Sequence, residues 1–96
     1  MHKNDKSAIE KLYEAILCLE TKEECKNFFE DACTIQELTS IAQRLEVAKL
    51  LSEGKSYVEI NKLTGASTAT ICRVGKCVNY GSGGYKTALD RLNEKG

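Results

Sequence analysis

The residues whose types and spacing most clearly suggest chemistry lie between Ser56 and Asn79. Short polar side chains and cations are interspersed there with aliphatic residues at helical spacing. The candidate contact residues are Lys62, Ser67, Thr68, Ala69, Thr70, Arg73 and Lys76. A Thr or Ala methyl group can contact thymine, a hydroxyl group can hydrogen-bond a base edge, and a cation can bind guanine or a phosphate. The set therefore predicts a surface that recognises double-stranded DNA.

The same segment, about 56–79, fits a helix-turn-helix, in which a support helix and a tight turn precede the helix that enters the major groove. We expect a support helix at Tyr57–Leu63 and a turn relieved by Gly65. The recognition helix should follow over 68–79, with Ser67 as its cap and its first turn facing outwards apart from Ile71. A helical pair joined by a glycine turn also occurs in bundles that do not bind DNA, so the pattern alone leaves both interpretations open.

The distribution of charge favours the DNA interpretation although the formal net charge is zero. Residues 1–43 carry five lysines against nine acidic residues, whereas residues 44–96 carry nine cations against five acidic residues. Between Ile60 and Leu89 there are four cations and no acidic residue. Distant charges are screened within about 10 Å, so a local basic surface decides binding to DNA. The C-terminal half is therefore the expected DNA-binding part.

The composition is that of one all-α globular domain covering residues 1–96. Hydrophobic residues make up 42% of the chain, charged residues 29%, and proline is absent. No apolar run reaches the roughly 20 residues of a membrane-spanning helix, and the N-terminus does not resemble a secretory signal. These features predict a cytoplasmic protein with no membrane partner.

The cysteines and the single histidine do not form a recognisable site. The five cysteines are an odd number and include no C-x-x-C pair, and His2 stands near the terminus. We expect reduced thiols that act as small buried apolar groups, with a redox role left open for Cys72 and Cys77. No nucleophile–base pair is evident, and Gly81–Gly84 lacks the flanking features of a phosphate loop. The sequence thus predicts neither an enzyme nor a metal or cofactor site.

Helix starts are indicated by four capping boxes, each a Ser or Thr followed three residues later by Glu. They begin at Ser7, Thr21, Thr34 and Ser56. Together with apolar periodicity they predict six helices, at about 8–19, 22–32, 35–53, 57–63, 68–79 and 85–93.

Six helices in 96 residues leave a thin core, which suggests that a second chain completes it. In the third helix Val47 and Leu50 widen the apolar stripe, which favours a second partner surface there. We expect a closely packed or intertwined homodimer, with residues of about 7–54 forming the dimerisation part. Such a dimer would present two related surfaces to a palindromic operator.

Several local motifs between Thr34 and Leu89 carry a family resemblance. The motifs are Leu50-Leu51-x-x-Gly54, Glu59-Ile60, Gly65-Ala66-Ser67-x-Ala69-Thr70-Ile71-x-Arg73, and Gly84-Tyr85 followed by Leu89. This stretch resembles the tryptophan repressor family, in particular its YerC-like branch. The resemblance implies an all-helical fold, a dimer interlocked through N-terminal helices, and repression from palindromic operators.

The resemblance also implies a small-molecule effector site, at positions that match Thr34, Arg44 and Arg73 in this chain. Val74 and Cys77 depart from the family archetype, which has Gly and Ser there, and these differences argue against tryptophan as the effector. For Arg44 the favoured alternative is an ion pair within or between chains. Arg73 could instead contact DNA or fix the turn.

Two functions therefore follow from the sequence. The first is a DNA-binding transcriptional regulator, expected to be a repressor. The alternative is a non-catalytic helical module that keeps the fold but binds a protein, and it would show no steep dependence of binding on salt.

Overall fold

A computed structural model describes residues 3–95 and shows an all-α chain, as the sequence predicts. The six helices are α1 (Lys3–Leu17), α2 (Lys22–Ala32), α3 (Ile35–Ser52), α4 (Tyr57–Thr64), α5 (Thr68–Tyr80) and α6 (Gly84–Lys95). No strand occurs in this part of the chain. None of these helices combines the length and apolar character that crossing a bilayer would require. His2, the single histidine considered above with the cysteines, lies outside the described residues.

Three of the four predicted capping boxes begin a helix in the structure. The Thr21 hydroxyl accepts a bond from the Glu24 backbone N–H at 3.0 Å, and the Ser56 hydroxyl accepts one from Glu59 at 3.2 Å. The prediction at Ser7 is wrong, because α1 already begins at Lys3 and Ser7 lies inside it. No Gly or Pro precedes Ser7. The helix can therefore continue towards the N-terminus beyond the local capping signal.

The third box, at the start of α3, is fully reciprocal. The Thr34 hydroxyl accepts from the Glu37 N–H at 3.1 Å, and the Thr34 N–H donates to the Glu37 carboxylate at 2.8 Å. Hydrogen bonds to the Glu37 carboxylate, first from the Thr34 backbone N–H and then from the Thr34 side chain, lower the pKa of Glu37. The stabilisation is therefore complete above the ordinary pKa of a glutamate and is lost as the pH falls through the lowered value in the folded state.

The chain divides into two compact units, residues 1–38 and residues 39–96. In the first unit none of the described side chains of residues 5–38 is buried. Its most exposed large apolar residues are Leu17 at 84% and Ile35 at 76%, and Ile9, Leu12 and Tyr13 are also exposed. The first unit therefore has apolar helical surface but no interior of its own.

The second unit contains the core. Its buried residues are Val47, Ala48, Leu50, Ile60, Ala66, Ile71, Val74 and Leu89. They come from the second half of α3, from α4, α5 and the turn between these two, and from α6. Val47 and Leu50, predicted to favour a partner surface, are thus covered by their own chain. Burial of each large aliphatic side chain contributes about 1.5–3 kcal/mol. This core holds the C-terminal helices in place.

The expectation that the cysteines are buried is wrong. Cys18, Cys25, Cys72 and Cys77 are exposed, and Cys33 is half-buried. Valine, leucine, isoleucine and alanine side chains fill the core instead, and four of the five thiol groups are left exposed.

A buried glycine in α5 gives a first testable prediction. Alanine at position 75 should stabilise the helix by about 0.5–1 kcal/mol, but its Cβ would lie 3.3 Å from the Tyr57 hydroxyl oxygen. We expect Gly75→Ala to give little net stabilisation in the natural chain and the full gain in a Tyr57→Phe background. The next neighbour there, a methyl group of Leu51, is at an ordinary 3.8 Å. A double-mutant cycle measured by urea unfolding tests this, and equal gains in both backgrounds would contradict it.

Candidate nucleic-acid interface

The turn between α4 and α5 is built on a left-handed glycine. Gly65 has φ 75° and ψ 3°, and its N–H donates to the Asn61 carbonyl oxygen at 2.8 Å. A side chain at this position would be strained, although there is open space around it. Gly65 thus ends α4 and allows α5 to begin three residues later, as a helix-turn-helix requires.

Two side chains of α4 fix the turn by local hydrogen bonds. The Asn61 side-chain amide donates to the Ala66 carbonyl oxygen at 2.8 Å. The Thr64 hydroxyl donates to the Ile60 carbonyl oxygen at 2.7 Å and accepts from the Ala66 N–H at 3.1 Å. Ala66 itself is buried. Both polar groups of the Ala66 backbone are therefore satisfied without water, and the direction of α5 is defined at its start.

Ser67 caps α5, as predicted. Its hydroxyl oxygen accepts from the Thr70 N–H at 3.2 Å and donates to the Thr70 hydroxyl at 3.1 Å. The bonds turn the Thr70 side chain towards the cap, and Thr70 is half-buried. Thr70 is therefore less available to an outside partner than Thr68 and Ala69, which are exposed.

Helix α5 has one buried face and one basic exposed face. Ile71, Val74 and Gly75 are buried on one side. Residues spaced at i, i+4, i+7 and i+11 lie along one line on the opposite side. This line, here called the α5 stripe, consists of Ala69, Arg73, Lys76 and Tyr80, all of them exposed. No acidic residue occurs between Ile60 and Leu89, so nothing nearby in sequence offsets the two cations.

The structure places all seven predicted DNA contacts in the second unit, on α4, the turn or α5. Lys62 is exposed on α4, and Ser67, Thr68, Ala69, Arg73 and Lys76 are exposed at the turn or on α5. Only Thr70 is partly covered. Tyr80, at the end of the α5 stripe, was not among the predicted contacts, although its helical spacing from Arg73 and Lys76 would have placed it on the same side of α5.

The three predicted effector residues are not brought together within one unit. Thr34 belongs to the first unit and caps α3, whereas Arg44 and Arg73 belong to the second. The Arg44 guanidinium donates to the Ser40 hydroxyl at 3.3 Å within α3. It makes no ion pair within residues 3–95, unlike Lys26, which pairs with Glu30, and Lys86, which pairs with Asp90. The alternative of an ion pair within the chain is therefore wrong for Arg44.

The two positions that depart from the family archetype have different surroundings. Val74 is 1% exposed and belongs to the core. Cys77 is exposed and lines a shallow, mainly apolar cavity of about 420 Å³ with Gly81, Ser82, Gly84 and Tyr85. Among the described residues, no group of three or more His, Cys, Asp or Glu side chains could hold a metal ion.

The cap at Thr34 gives a second prediction, which separates its structural role from a ligand role. Thr34→Ala should lower the free energy of unfolding by about 1 kcal/mol, because the first turn of α3 loses its acceptor. Thr34→Ser should keep most of the stability. Thr39→Ala is the matched control, because Thr39 is exposed in the interior of the same helix. Thermal unfolding without added ligand is the measurement, and equal effects of Thr34→Ala and Thr39→Ala would contradict the capping role.

Comparisons with known proteins agree with this architecture. The family model for the Trp repressor protein matches residues 7–93. The uncharacterized protein YerC of Bacillus subtilis (strain 168) is 55% identical over 86 residues, which are 90% of this chain and 83% of YerC. A TrpR-like protein from Eubacterium eligens ATCC 27750 superposes with a TM-score of 0.88 at 49% identity, covering 95% of this chain and 94% of that one. A Staphylococcus aureus protein provisionally described as a Trp repressor superposes with a TM-score of 0.87 at 44% identity, covering 97% of this chain and 96% of that one.

Proposed function

The chain belongs to the Trp repressor family, and we propose on that premise that it is a sequence-specific DNA-binding transcriptional regulator. The observation that carries the proposal is the α5 stripe. A helix begins at a rigid turn, buries one face in the core, and presents small residues followed by Arg73 and Lys76 on the other. Small residues at the first turn let a helix approach base edges closely, and cations further along meet phosphates.

The residues of this surface take different roles in the proposal. Thr68 and Ala69 contact base edges through methyl and hydroxyl groups, and Arg73 binds guanine or an adjacent phosphate. Lys62 and Lys76 bind phosphates and therefore contribute affinity at any sequence. Ser67 holds the first turn in place by accepting a hydrogen bond from the Thr70 N–H, and the earlier N–H groups of that turn would bind a phosphate. Thr70 contributes through the part of its side chain that remains exposed.

We further propose that the protein acts as a homodimer. The first unit exposes Ile9, Leu12 and Leu17 on α1 without burying any described side chain. Apolar surface of this kind is normally covered in solution. A second copy covering residues of about 7–54 would make one functional domain with two α5 stripes, suited to a palindromic operator. Sedimentation equilibrium measures the mass directly.

We include regulation by a small-molecule effector in the proposal, but not tryptophan as that effector. Val74 is packed in the core where the archetype has glycine, so a branched side chain occupies space beside α5. The Thr34 hydroxyl is already used to cap α3. We expect tryptophan to leave the melting temperature unchanged in a thermal-shift assay. Repression is the mode of action that the family implies.

The decisive experiment is selection of bound duplexes from a random library, followed by titration of the enriched sequence at several salt concentrations. A palindromic sequence should be enriched, and the logarithm of the affinity should fall linearly with the logarithm of the salt concentration. A protein-interaction module is the second candidate, favoured by the exposed Leu63 and Val58 on α4. That candidate would enrich no sequence and would show no steep salt dependence.

A further inference from the structure

Tyr80 is an exposed aromatic residue whose position the contacts of the chain do not explain. It is the last residue of α5 and is 89% exposed. Within the described residues its hydroxyl has no hydrogen-bond partner and its ring no aromatic contact. An isolated exposed apolar residue is ordinary on a protein surface, so exposure alone says little. The informative feature is the location of Tyr80 on the α5 stripe.

The helical geometry places Tyr80 at a definite distance from the first turn. With a rise of about 1.5 Å per residue, the Cα of Tyr80 lies roughly 16 Å along the axis from that of Ala69, and that of Lys76 roughly 10 Å. Long side chains on a helix lean towards its N-terminus and cover the preceding turn. The Tyr80 ring therefore reaches back to about the level of Lys76.

That level corresponds to the edge of the major groove. The groove is about 8.5 Å deep. If the helix enters it with the first turn leading and Ala69 at the base edges, residues about 10 Å further along the helix are at the phosphates. The surroundings in sequence are cationic and free of carboxylates from Ile60 to Leu89, which favours an anionic partner. Tyrosine hydroxyl groups are among the usual donors to phosphate oxygens.

We propose that Tyr80 contacts the sugar–phosphate backbone at the groove edge, with its hydroxyl donating a hydrogen bond to a phosphate oxygen. The proposal rests on the proposed DNA-binding function and adds a fourth member to the contacts of the α5 stripe. Lys76 supplies charge at this edge, whereas Tyr80 supplies a neutral, directed donor on a stiff side chain. The contact therefore raises affinity for any duplex sequence without adding a counterion-release contribution.

The test uses the full-length chain with Tyr80→Phe, Tyr80→Ala and the control Asn79→Ala. Asn79 is also exposed at the end of α5, but points about 100° away from Tyr80 around the helix. Affinities are measured for the enriched duplex and for an unrelated duplex, each over a range of salt. We expect Tyr80→Ala to weaken both roughly tenfold and Tyr80→Phe to account for most of that loss. Asn79→Ala should bind as the natural chain does.

The salt dependence distinguishes this contact from a cationic one. Tyr80→Phe removes no charge, so the slope of log affinity against log salt should stay unchanged, whereas Lys76→Ala should reduce it by about one per site. If Tyr80→Phe bound duplex DNA as tightly as the natural chain, the proposal would be overturned, since phenylalanine keeps the shape of the side chain and removes only the hydroxyl group. A lower association state of free Tyr80→Ala would also overturn it, because Tyr80 would then bind protein.

The outcomes separate this inference from the proposed function. If the natural chain enriches no duplex, the proposed function fails and the contact fails with it. If the natural chain binds its selected duplex and Tyr80→Phe binds equally well, only the contact is lost.

Discussion

Replacing Lys76 by glutamate is expected to weaken binding to every duplex, on the order of a hundredfold at moderate salt. The substitution removes one phosphate contact and brings a carboxylate against the DNA backbone. Lys76 is exposed on the α5 stripe, and the other cation of the stripe, Arg73, lies one turn before it. In a dimer the substitution occurs at both half-sites, so the loss of binding free energy is counted twice.

The measurement is fluorescence anisotropy with the enriched duplex and with an unrelated duplex. Both should lose affinity by a similar factor, because a phosphate contact carries no sequence information. Lys95→Glu is the matched control, since it makes the same change of net charge at an exposed position in the last turn of α6, outside the proposed dimerisation part. Arg73→Ala should instead change the preferred sequence. If Lys76→Glu bound DNA as tightly as the natural chain, the α5 stripe would not face DNA.

The second large effect concerns stability. Ile71→Ala should lower the free energy of unfolding by about 2–5 kcal/mol, because the lost transfer energy is augmented by the cavity left behind. Ile71 is completely buried, and it shares the core with Ile60 and Val74. For a chain of 96 residues such a loss is a large part of the total stability.

Urea unfolding at fixed protein concentration measures this change, since the proposed dimerisation would make the stability depend on concentration. Val58→Ala is the control, because Val58 is 66% exposed on α4 and should cost less than about 0.5 kcal/mol. If the two variants lost the same stability, the core described for the second unit would be wrong.

Much of the helical structure could be predicted from the sequence because capping residues mark boundaries independently of tertiary contacts. Thr21, Ser56 and Ser67 each begin a helix at the predicted place. The start of α1 could not be predicted in this way. A Ser-x-x-Glu pattern is compatible with a helix interior, and nothing before Ser7 breaks the helix.

Which apolar side chains are covered was less predictable than where the helices lie. Periodicity identifies the apolar stripe of a helix, but a small core can bury only some of the side chains near the edges of that stripe. Val47 and Leu50 are in the core, whereas Ile41 and Cys25 are exposed. The phase of a helix relative to its neighbours is set by contacts distant in sequence. An example is the bond from the Gln43 side-chain amide to the Thr64 carbonyl oxygen, at 3.1 Å.

The candidate site was more predictable, because the cap at Ser67 and the buried Ile71 together fix the phase of α5. Exposed positions such as Ala69, Arg73 and Lys76 then follow from helical spacing. Tyr80 was missed because the recognition helix was predicted to end at Asn79, one residue before the observed end of α5. Thr70 was predicted to face outwards, but it turns towards Ser67 because two neighbouring hydroxyl groups can bond each other.

The hydrogen bonds of the turn between α4 and α5 also bear on how the chain folds. Each of them joins residues no more than five positions apart, from Ile60 to Ala66. Contacts this short close small loops, which form in well under a microsecond and cost little chain entropy. The turn can therefore form before distant helices meet. Its geometry is encoded locally, so the angle at which α5 leaves α4 is defined before contacts between distant parts of the chain are made.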